Sequence, residues 1–161
     1  MNYLIIYMSR HGTTAKVAAE LKEKLGTETT LVDLEKGLVP SLDEFRTVII
    51  GGSVHGGTIQ QELITFCIKN KRELLNKRLG FFMCFMNNDL QELEFEDSFP
   101  IDLRRHAIAK GLVGGEFLFE KMNESEKDVV KKVKGIDESI YRIDTNAIHK
   151  FIEDIKDDSS V

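Results

Sequence analysis

Three hydroxyl side chains surround a glycine near the start of the chain: Ser9, Gly12, Thr13 and Thr14. They follow a short apolar run and come directly before a helical pattern. The free N–H groups and the dipole at a helix N-terminus favour an anion, and a glycine lets the backbone curl tightly around it. This loop therefore predicts a phosphate site. The alternative is that Thr13 or Thr14 only caps the helix and Gly12 only makes a turn.

The glycine count narrows which phosphate compound this loop would bind. The three-glycine fingerprint of dinucleotide sites is absent, and so is the lysine that follows a glycine in nucleoside triphosphate loops. A response-regulator site is also excluded, because it needs acidic residues after the first and third apolar runs. Those runs end in Met8-Ser9-Arg10 and Gly51-Gly52-Ser53.

The elements that must position this loop alternate along the chain. Buried-strand patterns cover Asn2–Met8, Glu28–Leu34, Arg46–Gly52, Leu79–Met86 and Gly111–Phe119. Helical patterns cover Ala15–Leu25, Ile59–Leu75, Pro100–Lys110 and Asp144–Ile155. Strands that alternate with helices predict an α/β fold, a parallel sheet covered on both faces. Ligands of such sheets bind beyond the carboxyl ends of the strands. The candidate site therefore comprises three loops, named here the first (Ser9–Thr14), second (Gly52–Thr58) and third (Asn87–Phe99).

Composition limits the remaining function classes. The 161 residues are 42% hydrophobic and predict one domain over residues 1–161. A charged segment at 120–143 precedes the last helix, and this segment is predicted to be helical near Glu126–Val133. The net charge of −5 argues against a nucleic-acid partner. We expect a cytoplasmic protein without a membrane span, because the chain has no apolar run of about 20 residues and no basic leader. Cys67 and Cys84 fall in apolar patterns and are expected in the core, and the histidines show no metal-ligand spacing.

The segment Ser9-Arg10-His11-Gly12-Thr13-Thr14 resembles the loop with which flavodoxins bind the phosphate of flavin mononucleotide (FMN), matching its pattern at Ser9, Gly12 and Thr14. The chain is most similar to the subfamily that includes the menaquinone-dependent protoporphyrinogen oxidases, in which an Arg follows the first hydroxyl residue, as Arg10 does here. Two weaker segments agree, Gly51–Gly56 and Gly135–Asp144.

This resemblance implies a flavodoxin-like three-layer sandwich with a five-stranded parallel sheet in the order 2-1-3-4-5. It implies FMN as the cofactor and electron transfer as the function. The phosphate would be held by Ser9, Arg10, His11, Gly12, Thr13 and Thr14. The flavin ring would be flanked by Ser53, Val54, His55, Gly56, Met86, Asn87 and Asn88.

Two features depart from that family. The chain has no Trp, although many flavodoxins stack the flavin ring between aromatic side chains. The charged segment also lacks the apolar, aromatic-rich character of the corresponding region in protoporphyrinogen oxidases. An electron carrier is therefore the first expectation. An FMN-dependent oxidoreductase acting on a quinone or porphyrinogen is the second, and a non-flavin binding module the third.

An acidic cluster follows the fourth strand pattern. It consists of Asp89, Glu92, Glu94, Glu96 and Asp97. Such a cluster is typical of a solvated surface, yet its position predicts that it borders the flavin site. There it would disfavour an anionic reduced flavin and steer a basic redox partner protein toward the site.

Overall fold

Five parallel strands form the centre of the molecule. The computed structural model describes residues 2–86, 89–135 and 138–158. The central strands are β1 (Tyr3–Tyr7), β2 (Thr29–Asp33), β3 (Thr47–Ser53), β4 (Arg78–Cys84) and β5 (Ala109–Leu112). They lie in the order β2-β1-β3-β4-β5, with every neighbouring pair parallel. The predicted α/β architecture and strand order are therefore confirmed.

Apolar side chains on both faces of β1, β3 and β4 explain why these strands lie inside. Successive side chains of a strand point to opposite faces, so each continuous apolar run supplies two cores. Leu4, Val48 and Phe81 are fully buried on one face, and Ile5, Ile49 and Phe82 on the other.

Helices cover both faces of the sheet. They are α1 (Thr13–Leu25), α2 (Gln61–Lys69), α3 (Lys71–Leu74), α4 (Gln91–Ser98), α5 (Ile101–His106), α6 (Glu124–Lys134) and α7 (Thr145–Lys156). Side chains of α1 and α7 join the core that contains Ile5, whereas those of α2, α3, α4 and α5 join the core that contains Leu4. The result is three layers.

Two helical expectations were wrong in detail. The pattern over 59–75 forms two helices that meet at Asn70, whose side-chain amide donates to the Phe66 carbonyl at 2.9 Å. The third loop was expected without regular structure, but it contains α4. Of that acidic helix only Phe95 and Ser98 are buried. Its sequence therefore shows too narrow an apolar face for a helix to be predicted.

The predicted fifth strand, Gly111–Phe119, was also wrong in extent. The central sheet ends with β5 at Leu112, and residues 114–117 form β6 (Gly114–Phe117), which pairs antiparallel with β7 (Ile140–Ile143). Gly114 explains the break. Its φ is 73°, and a Cβ on it would lie 2.1 Å from the Arg142 carbonyl oxygen. Only glycine fits this turn between the two sheets.

The described residues of the charged segment form regular structure. It holds the end of a short 3₁₀ turn (Phe119–Lys121), then α6, then β7. Asn123 and Glu126 form a capping box at the start of α6, which fixes where that helix begins. Within the described ranges, no helix is long and apolar enough to cross a bilayer.

Candidate functional site

A cavity of about 560 Å³ lies where the first and second loops meet the carboxyl end of β4. Its size falls within the range of small-molecule sites. Seven of the predicted site residues line it: Arg10, His11, Ser53, Val54, His55, Gly56 and Met86. The other predicted residues of the first loop, Ser9, Gly12, Thr13 and Thr14, are not part of its lining. Residues outside the prediction also line it, among them Phe85, Leu90, Glu116, Met122, Glu126, Val129 and Val130. Asn87 and Asn88 lie outside the described residues.

The first loop closes around the Ser9 side chain. Ser9 Oγ accepts hydrogen bonds from the N–H groups of Gly12 at 3.1 Å and Ala15 at 3.2 Å. Gly12 has a φ of 98°, in the left-handed region, and α1 begins at the next residue. The loop thus forms a tight turn at a helix N-terminus, with Ser9 ordering two of its N–H groups.

The two threonines of this loop have different surroundings. Thr13 Oγ1 donates to Glu116 Oε1 at 3.1 Å, and Lys16 Nζ lies 2.9 Å from the same oxygen. The Thr14 hydroxyl, 1% exposed, has no nitrogen or oxygen partner within the described part of the chain and contacts the Cys84 thiol, a weak hydrogen-bonding group. A buried hydroxyl with so weak a partner is costly, and a stronger acceptor beside it would lower that cost.

Arg10 and His11 extend from the first loop to a carboxylate of α6. Glu126 Oε2 lies 3.0 Å from Arg10 Nε and accepts a hydrogen bond from His11 Nε2 at 2.9 Å. Burial raises the pKa of Glu126, but hydrogen bonds from the Asn123 N–H, His11 and Arg10 outweigh it and lower that pKa overall. Glu126 is therefore an ionised carboxylate bound at the predicted phosphate loop.

The second loop turns sharply at two glycines. Gly56 and Gly57 have φ values of 67° and 96°, and the His55 N–H donates to the Thr58 carbonyl at 2.9 Å across the turn. Two successive positive φ values are characteristic of a type I′ turn, which glycines form without strain. This turn places His55 at the cavity.

His55 is an uncharged imidazole at neutral pH. Its Nε2 lies 3.1 Å from Ser53 Oγ, and its ring packs edge-to-face with the His11 ring at 6.2 Å between centroids. Although His55 is exposed, desolvation of its ring among the neighbouring side chains lowers the pKa of His55 to about 4, and the charges of Arg10 and His11 act in the same direction. The ring can therefore bind a ligand by hydrogen bonding and packing rather than as a cation.

Three polar side chains stand out among the site residues that the sequence analysis missed. Gln60 joins the ends of two strands: its Oε1 accepts from the Ser53 N–H at 3.1 Å, and its Nε2 donates to the Met8 carbonyl at 3.4 Å. Glu116 on β6 and Glu126 on α6 bring carboxylates to the first loop. No local pattern marks these three, because their partners lie far away in sequence.

The acidic cluster lies on and before α4 and borders the cavity only in part. Glu94 lines the cavity, whereas Glu92 pairs with Lys110 at 2.8 Å. The described parts of the chain hold no group of three His, Cys, Asp or Glu side chains arranged to bind a metal ion.

The comparisons with known proteins agree with this fold. The chain is similar to the rubredoxin oxygen:oxidoreductase of Desulfovibrio gigas, with a TM-score of 0.55 and 15% identity, over 96% of this chain and 36% of that one. It is also similar to a flavoprotein from Lactobacillus acidophilus NCFM in complex with FMN, with a TM-score of 0.47 and 14% identity, over 70% and 90% of the two chains. This chain thus spans 36% of the length of the D. gigas protein.

The comparison with family models gives a more direct result. No curated protein matches the chain. The family model described as the flavodoxin domain matches residues 4–144, which contain the first loop, the second loop and the strands that carry them. Because this match covers most of the chain, the chain belongs to the flavodoxin domain family.

Proposed function

We propose that the protein binds one FMN non-covalently and exchanges electrons with a redox partner protein. The observation that carries this proposal is the cavity of about 560 Å³ at the carboxyl end of the sheet, where the first and second loops meet. In an open parallel sheet this is the expected place for a ligand. The lining of the cavity includes the polar side chains of Arg10 and His11 and the apolar side chains of Phe85 and Leu90. FMN has the matching parts, a phosphate and a flat ring.

The residues of the first loop fit a phosphate. The Thr14 hydroxyl is buried beside the Cys84 thiol, a weak partner, and Gly12 holds the turn at the N-terminus of α1. Arg10 and His11 already bind one anion, the Glu126 carboxylate. A phosphate at this loop would compete with Glu126 for Arg10 and His11 and would give Thr14 an acceptor.

The residues of the second loop fit the edge of a flavin ring. His55 is uncharged and lies beside Ser53, so the two together offer both hydrogen-bond donors and acceptors. Gln60 fixes Ser53 by hydrogen bonds to its N–H and its hydroxyl. These contacts would orient the ring, and Met86 would border it from the end of β4.

Bound FMN would supply the electron-transfer chemistry, and the chain would supply capture, orientation and local charge. Ser53 and His55 form a hydroxyl–imidazole pair at 3.1 Å, and the Ser53 hydroxyl also accepts a hydrogen bond from Gln60 Nε2 at 3.0 Å. Burial raises the pKa of Cys84, which also lines the cavity, to about 12, so this thiol stays protonated. A protonated thiol would leave the redox chemistry to FMN.

The acidic residues of α4 would act on the partner. Glu92 and Glu96 are exposed on α4, the helix that also carries the cavity-lining Glu94. A negative surface beside the flavin favours encounter with a basic protein and makes the rate depend on salt. We therefore expect a basic redox partner.

The second candidate is an FMN-dependent oxidoreductase acting on a quinone or porphyrinogen, as in the protoporphyrinogen oxidases. One observation favours it: the charged segment turns apolar side chains, Met122, Val129 and Val130, toward the cavity. An apolar substrate would be compatible with such a lining. A non-flavin binding module on the same fold is the third candidate.

Titration of the protein with FMN tests the proposal. We expect the flavin fluorescence to change and the visible bands to shift at one FMN per chain. An absence of both changes would overturn the proposal and favour the non-flavin module. Stopped-flow mixing of the reduced complex with a soluble quinone or with a basic redox protein then separates enzyme from carrier, because a carrier reacts faster with the protein.

A further inference from the structure

We propose that α6 forms one wall of the flavin-ring site, with Val129 and Val130 packing against the ring beside Met122. These aliphatic side chains would take the role that aromatic side chains have in many flavodoxins. The inference rests on the proposed function and deepens it, since it assigns ring contacts to the charged segment.

The distribution of side chains around the cavity supports this assignment. The first loop and Glu126 supply charged groups at one part of the lining, whereas Phe85, Leu90 and Val130 supply an apolar part. The described residues of the second and third loops within this lining include no Phe, Tyr or Trp. The apolar surface that a flavin ring requires is therefore provided largely by the end of β4 and by α6.

Contacts on both sides of α6 fix which face it turns to the cavity. On one side, the Nζ atoms of Lys127 and Lys131 lie 5.3 and 5.5 Å from the centroid of the Phe119 ring, in cation–π geometry. On the cavity side, Glu126 binds Arg10 and His11. Val129 and Val130 follow Glu126 by three and four positions, so they lie on the same helical face.

This face is apolar but incompletely covered. Val129 is 57% exposed although it lines the cavity, and Met122 is 9% exposed. Exposed apolar surface inside a concave site gains free energy when a flat apolar group covers it. Val133, one turn further along α6, is 74% exposed and does not line the cavity. It provides a matched control on the same helix.

The test uses lumiflavin, which carries the flavin ring without the ribityl phosphate, alongside FMN. The double variant Val129→Thr/Val130→Thr keeps the side-chain volume but adds two hydroxyls. We expect its dissociation constants for lumiflavin and for FMN to rise by the same factor, about fivefold to tenfold. Val133→Thr should bind both ligands as the wild type does.

The outcomes separate this inference from the proposed function. Unchanged lumiflavin and FMN binding by the double variant would overturn the α6 wall while leaving FMN binding intact. If the wild type binds lumiflavin as tightly as FMN and the double variant weakens both, the wall stands and the phosphate site is wrong. A double variant that binds lumiflavin normally but reduces a quinone more slowly would assign the apolar face to a substrate and overturn the inference.

Discussion

Glu126 Oε2 lies 2.9 Å from His11 Nε2, although 115 positions separate the two residues. The same oxygen lies 3.0 Å from Arg10 Nε. Through this contact α6 brings a negative charge to the first loop, where the proposed function places the FMN phosphate. The protein therefore holds an internal anion at the site of its proposed ligand.

We expect Glu126→Gln to bind FMN more tightly than the wild type. The substitution removes a negative charge that competes for Arg10 and His11, and the gain should be about threefold to tenfold in the dissociation constant at low salt. Flavin fluorescence titration measures it, and added salt should reduce the gain. The control is Glu124→Gln on the same helix, where the side chain is 91% exposed. Weaker FMN binding by Glu126→Gln would show instead that Glu126 supports the site.

Thr14→Val should weaken FMN binding more than tenfold, because the phosphate loses a hydroxyl donor and the side-chain shape stays nearly the same. Thr29→Val is the matched control. Thr29 is also buried, its hydroxyl also lacks a nitrogen or oxygen partner among the described residues, and it lies on β2, at the opposite end of the strands. Equal dissociation constants for the two variants would place the phosphate away from the first loop.

His55 should titrate near pH 4 in the folded protein, measured by NMR of its imidazole. The ordinary pKa of about 6.5 applies in the unfolded chain. Between pH 6.5 and pH 4 the unfolded state binds more protons at His55 than the folded state does. The contribution of His55 to the free energy of unfolding is therefore complete above pH 6.5 and is lost as the pH falls toward 4. His55→Gln should flatten this part of the stability–pH curve. Because His55 is exposed, solvent moderates the effect. A measured pKa near 6.5 would show instead that the ring is fully hydrated in the folded protein.

Cys67 and Cys84 should resist thiol reagents in the native protein. Burial raises the pKa of both thiols to about 12, and neither is more than 3% exposed. The reactive thiolate is thus absent at neutral pH. A colorimetric thiol assay should detect almost no reaction before unfolding and both thiols in guanidinium chloride. Rapid labelling of Cys84 in the folded protein would contradict the burial of this thiol.

The central strands could be predicted because the sequence pattern of a buried strand is local. The strands β1, β3 and β4 are continuous buried runs, and right-handed crossovers leave few arrangements for such runs. The helix α4 was missed because only Phe95 and Ser98 are buried, so no periodic apolar face is visible. The break at Gly114 was missed because its cause is a contact with Arg142, far along the chain.

The candidate site was predictable to a similar extent. Arg10, His11 and His55 follow strand ends, and the topology alone brings strand ends to one edge of the sheet. Glu116, Glu126 and Val130 could not be found in this way. They reach the cavity through β6 and α6. The positions of these two elements depend on how the charged segment folds back, and the sequence of the charged segment shows mainly that it is charged.

The pairing of β6 with β7 makes the charged segment a modular unit. Its chain leaves at Phe117 and returns at Ile140, which are partners across the antiparallel ribbon. The segment between these two residues therefore leaves the central fold and rejoins it at the same place, whatever the length of the segment. Sequence between these two residues can diverge, shorten or be exchanged without altering the register of the five parallel strands. Substitutions on the face of α6 that lines the cavity can thus occur without a change in the first loop.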